Sequence, residues 1–330
     1  MTGIIEIENL VKKFGDFTAV DRVNLSIQKG QIFGILGPNG AGKTTTINVI
    51  MGLLAPTSGT ITVDGIDVKK NPGKIKDMVS LMTQETIVDE DLTAYENLDI
   101  AARLYHIPSS ERHKVVMEAL AEAELTDMAN NKAKGFSGGM KRRLYLVKSM
   151  IFHPKVIILD EPTTGLDVQN RMQMWGHIQE LQQQGVTVVI TTQYLEEADQ
   201  LCNRVAVIDH GKLIAIGTPS ELKSMVSKGR VMEVITTAAA ARSIAELLKK
   251  RFKLEAKVMD DKVSCLLEKD PVDTFKKVFD ALVKEKLPIT SISMHLPTLD
   301  DVFMTLTGSS IRDTVDEKAA SARSNIMSSR

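Results

Sequence analysis

The chain has 330 residues, of which 43% are apolar and 25% charged, and its formal net charge is −1 at pH 7. This composition is typical of a globular protein with a full core, and the small net charge gives no whole-molecule bias toward nucleic acid. Cys202 and Cys265 lie far apart without metal-site spacing, which favours core positions in a reducing compartment. No apolar run reaches the ~18 residues that span a bilayer, and the acidic N-terminal stretch MTGIIEIENL is not expected to be a signal peptide. We expect a cytoplasmic protein whose membrane role comes through a partner.

Strand-like and helix-like runs alternate along the first two thirds of the chain. Near the start, Ile5, Ile7, Leu25 and Ile27 alternate with polar residues, which predicts an antiparallel edge. The later runs predict parallel strands with helices on both faces of the sheet. In chain order they are a strand at 31–36, a helix at 43–53, a strand at Val156–Asp160, a helix at 171–184 and a strand at 186–190.

The pattern changes after about residue 227. The next runs have the order β-α-β-β-α-β, which is the split ferredoxin-like pattern of a small α+β domain. The residues after Gly308 are rich in serine, alanine and charge, which predicts a flexible tail. The sequence therefore predicts a first domain at 1–227, an accessory domain at 228–307 and a tail at 308–330. The accessory runs are a strand at 230–236, a helix at 238–251, a hairpin at 254–259 and 263–268, a helix at 273–286 and a strand at 289–294.

A glycine-rich loop, GPNGAGKTT at residues 37–45, matches G-x-x-x-x-G-K-[ST] between a predicted strand and a predicted helix. Its backbone N–H groups can turn inward around an anion, and the helix adds its positive end. Lys43 would place a charge on the β- and γ-phosphates, Thr44 would ligate Mg²⁺, and Thr45 would contact another phosphate oxygen. We expect Lys43 to be a surface-facing charge without core contacts. The motif predicts nucleotide binding.

An acidic pair ends the buried-strand run in VIILDE, residues 156–161. The carboxyl ends of parallel strands border the crevice where ligands bind. Asp160 could hold the shell of Mg²⁺, and Glu161 could orient and polarise an attacking water. The alternative is two solvated acids at a strand end. The preceding phosphate loop favours the catalytic interpretation.

A second glycine motif, FSGGMKRR at residues 136–143, predicts a helix that Ser137 caps. Its free N–H groups and positive dipole could bind phosphate, although a simple capped helix fits as well. We expect Lys141, Arg142 and Arg143 to form mostly a helix face, with one of them near the nucleotide.

In this order the motifs resemble those of the ATP-binding subunits of ABC transporters, over roughly residues 4–220. The resemblance implies a P-loop ABC ATPase domain with a mixed sheet, an antiparallel edge and a helical subdomain at about 88–150. The matching segments are GPNGAGKTT for Walker A, SLMTQE for the Q-loop, FSGGMKR for the signature with Met140 where glutamine is usual, VIILDEP for Walker B, Gly165-Leu166-Asp167 for the D-loop, Gln193 at the switch-histidine position, and Phe14 in KKFG for the aromatic that stacks on adenine.

The resemblance implies ATP and Mg²⁺ as cofactors and assigns roles by position. The implied catalytic residues are Glu161 and Gln193, and the implied metal ligands are Thr44, Gln84 and Asp160. The implied nucleotide-binding residues are Phe14, Val20, Asn39, Gly40, Ala41, Gly42, Lys43, Thr44, Thr45, Gln84, Ser137, Gly138, Gly139 and Asp167.

Two segments, TTQYLEEADQL and PTLDDVFMTLTG at 297–308, resemble the daunorubicin-resistance ATPase branch, which pairs with drug or lipid exporters. That branch carries glutamine at the switch position. A glutamine amide can donate an N–H as a neutral histidine does, but it cannot exchange a proton near pH 7. Gln193 is therefore expected to position and stabilise charge, with Glu161 as the base.

The resemblance further implies a head-to-tail homodimer or heterodimer with two composite ATP sites, and Asp167 crossing that interface. It implies a transmembrane permease that docks near residues 85–98 and holds the protein on the cytoplasmic face, and no nucleic acid. One alternative is a soluble ABC ATPase acting on ribosomes or DNA. The segment between the glycine motifs lacks sustained heptads, and the chain holds one cassette. A nucleotide-sensing scaffold is a further alternative, against which the intact Glu161 argues.

Overall fold

The computed structural model describes residues 3–226 and 229–307, and these form two compact units divided after Pro219. The tail predicted at 308–330 lies outside the described residues. The strands are β1 (Ile5–Phe14), β2 (Phe17–Ile27), β3 (Ile32–Leu36), β4 (Ser58–Val63), β5 (Ile66–Asp67), β6 (Val79–Met82), β7 (Val156–Asp160), β8 (Thr187–Thr192), β9 (Arg204–Asp209), β10 (Lys212–Gly217), β11 (Arg230–Ile235), β12 (Ala256–Met259), β13 (Lys262–Leu267) and β14 (Ser291–His295).

Helices connect most of these strands. They are α1 (Lys43–Ile50), α2 (Pro72–Lys76), α3 (Ala94–Leu104), α4 (Ser109–Glu122), α5 (Gly138–Met150), α6 (Val168–Gln183), α7 (Leu195–Leu201), α8 (Pro219–Val226), α9 (Ala238–Leu247), α10 (Pro271–Lys284) and α11 (Leu299–Thr307). Within residues 3–226 and 229–307, no helix combines the length and the apolarity that a bilayer span requires.

The first unit contains an antiparallel sheet of order β2-β1-β4-β5. Ile5 pairs with Ile27 and Ile7 with Leu25, so the predicted antiparallel pairing is confirmed. These strands form a sheet of their own and not the edge of the parallel sheet. Their alternating burial explains this, because a strand with one polar side suits a sheet with one solvated face.

A six-stranded mixed sheet of order β10-β9-β3-β8-β7-β6 lies at the centre of the first unit. All its neighbouring strands are parallel except β10, which runs antiparallel to β9 at one edge. Every residue of β3, β7 and β8 is buried, as expected for strands covered on both faces. The loops that follow β3, β6, β7 and β8 therefore leave the sheet at the same edge, where ligands bind in such folds.

Helices α3, α4 and α5 share a second apolar core that includes Leu98, Leu120 and Leu144. A capping box starts α3: the Thr93 hydroxyl accepts from the Glu96 backbone N–H at 3.1 Å, and Glu96 Oε2 accepts from the Thr93 backbone N–H at 2.8 Å. Helix α5 carries the second glycine motif at its N-terminus. The packing of this core thus fixes the direction in which that motif points.

Element boundaries differ from the predictions where caps intervene. The helix predicted at 43–53 ends at Ile50, because Gly52 adopts φ 68° and the chain turns away there. The helix predicted at 171–184 begins earlier, at Val168, because Asp167 caps it by accepting from the Asn170 N–H at 2.8 Å.

The second unit has the predicted β-α-β-β-α-β order, with an antiparallel sheet ordered β12-β13-β11-β14. The ferredoxin-like prediction is therefore confirmed. Helices α9 and α10 contribute Ile244, Val278 and Leu282 to its core. Cys265 belongs to this core and Cys202 is buried in the first unit, so both cysteines are free and buried as predicted.

Candidate active site

The phosphate loop follows β3 and ends where α1 begins at Lys43. Gly42 caps α1 with φ 102°, and a Cβ there would lie 2.5 Å from the Ala19 carbonyl oxygen. A Cβ on Gly37 would lie 2.2 Å from the Ile208 carbonyl oxygen. Only glycine fits these two positions, which keeps the backbone N–H groups of the loop free to face an anion.

Lys43 is 5% exposed, and its Nζ donates to the carbonyl oxygens of Gly37 at 2.8 Å and Pro38 at 3.2 Å. The same Nζ lies 3.6 Å from Glu161 Oε1. The prediction of a surface-facing charge without core contacts was wrong. The ammonium lies inside the loop because carbonyl oxygens and a carboxylate replace the water that it loses.

Asp160 ends β7 and is 8% exposed. Its Oδ2 accepts from the Thr44 hydroxyl at 3.2 Å, and its Oδ1 accepts from the Thr191 hydroxyl. A carboxylate beside a hydroxyl supplies the hard oxygen ligands that Mg²⁺ prefers. Among the described residues no cluster of three or more His, Cys, Asp or Glu could hold a metal alone. These two side chains therefore fit Mg²⁺ in the usual way, in which substrate phosphates and water supply the other ligands.

Glu161 follows Asp160 and is 7% exposed. Its backbone has φ 47°, the left-handed region, and its N–H donates to the Thr191 carbonyl at 3.1 Å. Its two carboxylate oxygens have different partners: Lys43 lies 3.6 Å from Oε1, and the Thr164 hydroxyl donates to Oε2 at 3.1 Å. The structure thus brings Lys43, Thr44, Asp160 and Glu161 into one cluster, which we call the phosphate-site cluster.

Gln193 follows β8 directly and is partly buried. Its Oε1 is buried and has no hydrogen-bond partner among the described residues. Four residues later Glu197 is fully buried, and its Oε1 accepts from the Thr163 hydroxyl at 2.9 Å and from Trp175 Nε1 at 3.1 Å. Burial raises the pKa of Glu197. Glu197 therefore joins Thr163 and Trp175 in a buried polar network, four residues after Gln193 in the chain.

The signature motif and the D-loop form a second cluster. The Ser137 hydroxyl accepts from the Met140 N–H at 3.2 Å and so caps α5. Gly139 packs so tightly on Asn170 that a Cβ would lie 2.1 Å from Asn170 Oδ1. Asn170 in turn donates to Asp167 through its backbone N–H, which holds the pKa of Asp167 below its usual range. Ser137, Gly138 and Asp167 are exposed, so this cluster is open to a partner.

The structure gives the positions of the other predicted nucleotide-binding residues, and their roles stay predictions. Phe14 is 49% exposed, with Lys12 Nζ 5.0 Å from its ring centroid. Gln84 is exposed two residues after the end of β6, and its carbonyl accepts from Arg142 at 2.8 Å. Asn39 and Gly40 are exposed, Thr45 is partly buried, and Val20 and Ala41 are buried.

Four residues of the site were missed or left undetermined by the sequence patterns. Thr191 and Thr164 orient the two carboxylates, and Thr163 satisfies Glu197. Arg142, one of three basic residues that the sequence placed mostly on a helix face, is 3% exposed and binds loop carbonyls. The threonines belong to the stretches PTTG and TT, but no spacing rule separates such residues from ordinary strand and turn threonines.

Comparisons with known proteins agree with this geometry. The ABC transporter family model matches residues 20–164, and that of the DrrA1-3-like ATP-binding protein C-terminal domain matches residues 217–307. The chain is 39% identical to the daunorubicin/doxorubicin resistance ATP-binding protein DrrA of Streptomyces peucetius, with 97% of each chain covered. It is 37% identical to the daunorubicin resistance ATP-binding protein DrrA2 of Streptomyces coeruleorubidus, covering 96% of this chain and 98% of that protein.

A further relative is also named as an ATP-binding protein, and similar solved structures are described as an ABC transporter component or an ATP-binding cassette. The linearmycin resistance ATP-binding protein LnrL of Bacillus subtilis is 35% identical over 94% of this chain and all of its own length. The structure of cbiO1 from Clostridium perfringens matches with a TM-score of 0.64 at 25% identity, covering 77% of this chain and 97% of cbiO1. The dimeric post-hydrolysis state of the ATP-binding cassette MJ0796 with ADP and Pi matches with a TM-score of 0.59 at 28% identity, covering 65% and 98%.

The phosphate loop, the acidic pair and the central sheet define a nucleotide-hydrolysing P-loop protein. The chain belongs to the ATP-binding proteins of the ABC transporter family, in the group of the daunorubicin resistance proteins, and it is an ABC-type ATPase. The resemblance found in the sequence motifs is confirmed.

The position of Gln193 directly after β8 gives a testable prediction. If Gln193 donates its N–H to the γ-phosphate, Gln193→Ala slows single-turnover ATP hydrolysis. Loss of one oxyanion donor costs at least ~100-fold in well-ordered sites, and we expect a smaller effect here because Lys43 shares the charge. Gln193→His stays active and gains a pH dependence below a pH of about 6.5, where imidazole protonates. Rates across pH for the three proteins check this, with ATP affinity as the control. A Gln193→Ala rate equal to that of wild type would make the residue a spectator.

Proposed function

We propose that this ATPase energises export of a drug-like or lipid-like compound through a separate permease, by closing two copies of the chain around ATP and reopening them after hydrolysis. The observation that carries the proposal is the phosphate-site cluster, in which a buried lysine, a carboxylate with a hydroxyl, and a second carboxylate converge at the start of α1. Relatives named for resistance to daunorubicin and linearmycin support the export of such compounds.

Lys43 would change partners when ATP binds. Its ammonium is now held by two neutral loop carbonyls and the single carboxylate of Glu161, which carry less negative charge than a triphosphate. Phosphate oxygens in the loop would take the ammonium and leave the Glu161 carboxylate free to accept a proton from water. The ion pair with Lys43 would thus keep the base occupied until a nucleotide arrives.

Thr44 and Asp160 would hold Mg²⁺, with the Q-loop residue Gln84 contributing through its exposed amide. The metal would neutralise charge that develops on the phosphate oxygens. Thr191 fixes one oxygen of Asp160 and leaves Oδ2 toward Thr44, so the carboxylate is already oriented. Gln193 would present its amide N–H to the γ-phosphate from the end of β8.

A second copy of the chain would complete each ATP site. Ser137 and Gly138 are exposed at the N-terminal, positive end of α5, where backbone N–H groups can bind the phosphates held by another copy. Asp167 is exposed beside them, and the hydrogen bond from the Asn170 N–H holds its pKa below the usual range. The dimeric solved structure of MJ0796 with ADP and Pi supports such pairing.

A groove of about 370 Å³ beside the Q-loop would receive the permease. Leu53, Leu104 and Tyr105 line it and are 53%, 72% and 43% exposed, with Lys148 also in its wall. Tyr145 lines the same groove, and its hydroxyl lies 3.0 Å from Thr83 Oγ1, next to Gln84. An amphipathic helix with apolar and acidic side chains fits this lining, and its docking would act directly on the Q-loop.

We propose the division at residues 1–227 and 228–307, with the second part as a packing or dimer-stabilising domain. Separate family models for 20–164 and 217–307 support two domains, while the second model and the second compact unit begin earlier than residue 228, at 217 and 220. Through the permease the protein would lie on the cytoplasmic face of the membrane. A soluble ABC ATPase acting on ribosomes or DNA is not favoured, because the similar proteins are named for drug resistance and Nod factor export.

The proposed role of Glu161 is tested by Glu161→Gln. This variant retains ATP binding but stalls hydrolysis, because the amide cannot accept a proton, and it accumulates as an ATP-bound dimer. Size-exclusion chromatography with and without MgATP, beside a turnover assay, measures both effects. Normal turnover by Glu161→Gln would place the base elsewhere.

The same column run on a chain ending at residue 226 tests the domain division. We expect this shortened chain to bind ATP but to dimerise more weakly than the full chain.

The groove is tested by introducing a charge on its apolar lining. Leu104→Asp should weaken co-purification with a co-expressed permease subunit, because the carboxylate would be desolvated in the interface. Met128→Asp is the matched control, since Met128 is 40% exposed in the turn Thr126–Met128 away from the groove lining. Basal ATP hydrolysis of both variants should equal that of wild type. Equal recovery of the membrane protein by both variants would contradict this docking site.

A further inference from the structure

The first unit buries a cation that lies outside the phosphate-site cluster. Arg142 lies on α5, five residues after Ser137, and is 3% exposed. Burial lowers its pKa, yet a guanidinium stays protonated in proteins. A buried charge of this kind is retained only where hydrogen bonds compensate it, so its partners show what it holds.

The first set of partners is the turn that carries Glu161. Arg142 Nη2 donates to the Glu161 carbonyl at 3.0 Å, and Nε donates to the Pro162 carbonyl at 2.8 Å. Glu161 has the left-handed φ of 47°, a conformation that a non-glycine residue keeps only when its surroundings enforce it. The guanidinium fixes the carbonyl side of this residue, while Thr191 fixes its N–H.

The second set of partners is the Q-loop. Arg142 Nη1 donates to the carbonyl of Gln84 at 2.8 Å and to that of Thr83 at 3.2 Å, with Thr86 Oγ1 at 3.3 Å. These residues follow β6, whereas Glu161 follows β7, the neighbouring parallel strand. One planar group therefore joins two adjacent loops at the carboxyl edge of the sheet, and it is carried by the signature helix.

We infer that Arg142 is a positioning residue for ATP hydrolysis: it ties the signature helix and the Q-loop to the turn that holds Glu161. The inference rests on the proposed function, in which Glu161 is the base. A small rotation of α5 or a displacement of the Q-loop is transmitted through the guanidinium to the Glu161 carbonyl, and so to the carboxylate. In the proposed dimer the signature faces a partner copy, and the Q-loop adjoins the permease groove. A movement at either place would reach the Glu161 carboxylate through the Arg142 guanidinium.

The neighbouring Arg143 offers a matched control on the same helix. Its Nη1 binds Glu124 Oε2 at 3.2 Å and Gln173 Oε1 at 3.1 Å, and its side chain is 13% exposed. These partners lie on α6 and next to α4, not on the Q-loop or on the turn of Glu161. Removing this guanidinium therefore removes a partly buried arginine without disturbing the loops that Arg142 holds.

The test compares single-turnover ATP hydrolysis and ATP affinity for wild type, Arg142→Met, Arg142→Lys and Arg143→Met. Because an error of about 1 Å at a reacting group costs roughly 100-fold, we expect Arg142→Met to hydrolyse ATP about 10- to 100-fold more slowly. Its Kd for ATP should change by less than about threefold, the pattern of an interaction that acts on the transition state. Arg142→Lys should fall between, since an ammonium cannot reproduce the planar fork. Arg143→Met should match wild type within about twofold.

A double variant separates positioning from mere packing. If Arg142 acts through Glu161, adding Arg142→Met to Glu161→Gln should lower the residual rate by less than about threefold, because the carboxylate is already gone. An equal loss in both backgrounds, or a wild-type rate for folded Arg142→Met, would overturn the inference. Thermal unfolding with ATP identifies folded variants, and if Arg142→Met does not fold, a wild-type rate for Arg142→Lys overturns it. Equal rates for wild type and Glu161→Gln would instead contradict the proposed base itself.

Discussion

The candidate site depends on one buried ion pair, between Lys43 and Glu161. Their charged atoms lie 3.6 Å apart, and the two residues are 5% and 7% exposed. Removing both groups from water is expensive, and breaking such a pair by removing one partner costs about 3–5 kcal/mol. The loop carbonyls of Gly37 and Pro38 and the Thr164 hydroxyl compensate the remaining hydrogen-bonding capacity. The conformation of the phosphate loop is thus coupled to the turn after β7.

The same pair explains how nucleotide binding and chemistry can be ordered in time. While Lys43 is paired with Glu161, the ammonium lies 3.6 Å from one oxygen of the carboxylate and occupies it. A triphosphate in the loop would offer the ammonium a stronger partner and would release the carboxylate. Arg142 and Thr191 hold the backbone of Glu161 in place meanwhile, so the released side chain would already point toward the phosphate. The lysine would therefore serve both in binding and in control of the base.

Much of this architecture could be predicted from the sequence, because its signals are local. The VIILD run, the glycine loop and the alternation around β11–β14 encode strands, turns and their order directly, and the ferredoxin-like topology followed from the order alone. The helix ends were less accessible, because the left-handed turn at Gly52 competes with apolar spacing that continues to Leu53. The separate antiparallel sheet could not be distinguished from an edge, since pairing partners are shared by both arrangements.

Features that rest on contacts distant in sequence were not predictable. The burial of Lys43 needs the carboxylate of Glu161, which lies 118 positions later in the chain. Hydrophobic periodicity is read in windows of about 11–18 residues, so it gives no information on a contact at this separation. Arg142 and Arg143 are adjacent and chemically identical, yet one is buried among loop carbonyls and the other binds a glutamate near the surface. Only the packing of α5 against β6 and the neighbouring loops separates them. Roles assigned by motif position, such as those of Phe14 and Val20, stay predictions.

The central claim is that Lys43, now paired with Glu161, binds the phosphates of ATP. A calorimetric titration of MgATP into wild type, Lys43→Met and the double variant Lys43→Met/Glu161→Gln tests it most directly. The double variant removes the carboxylate that Lys43→Met leaves unpaired, so it separates a lost phosphate contact from a disturbed fold. Both variants lose the contacts expected between the Lys43 ammonium and the β- and γ-phosphates. Because a hydrogen bond to a charged group contributes about 1.5–3 kcal/mol, losing two should weaken ATP binding by roughly 100-fold or more. Wild-type affinity in the double variant would show that Lys43 serves only to neutralise Glu161, and would contradict the account.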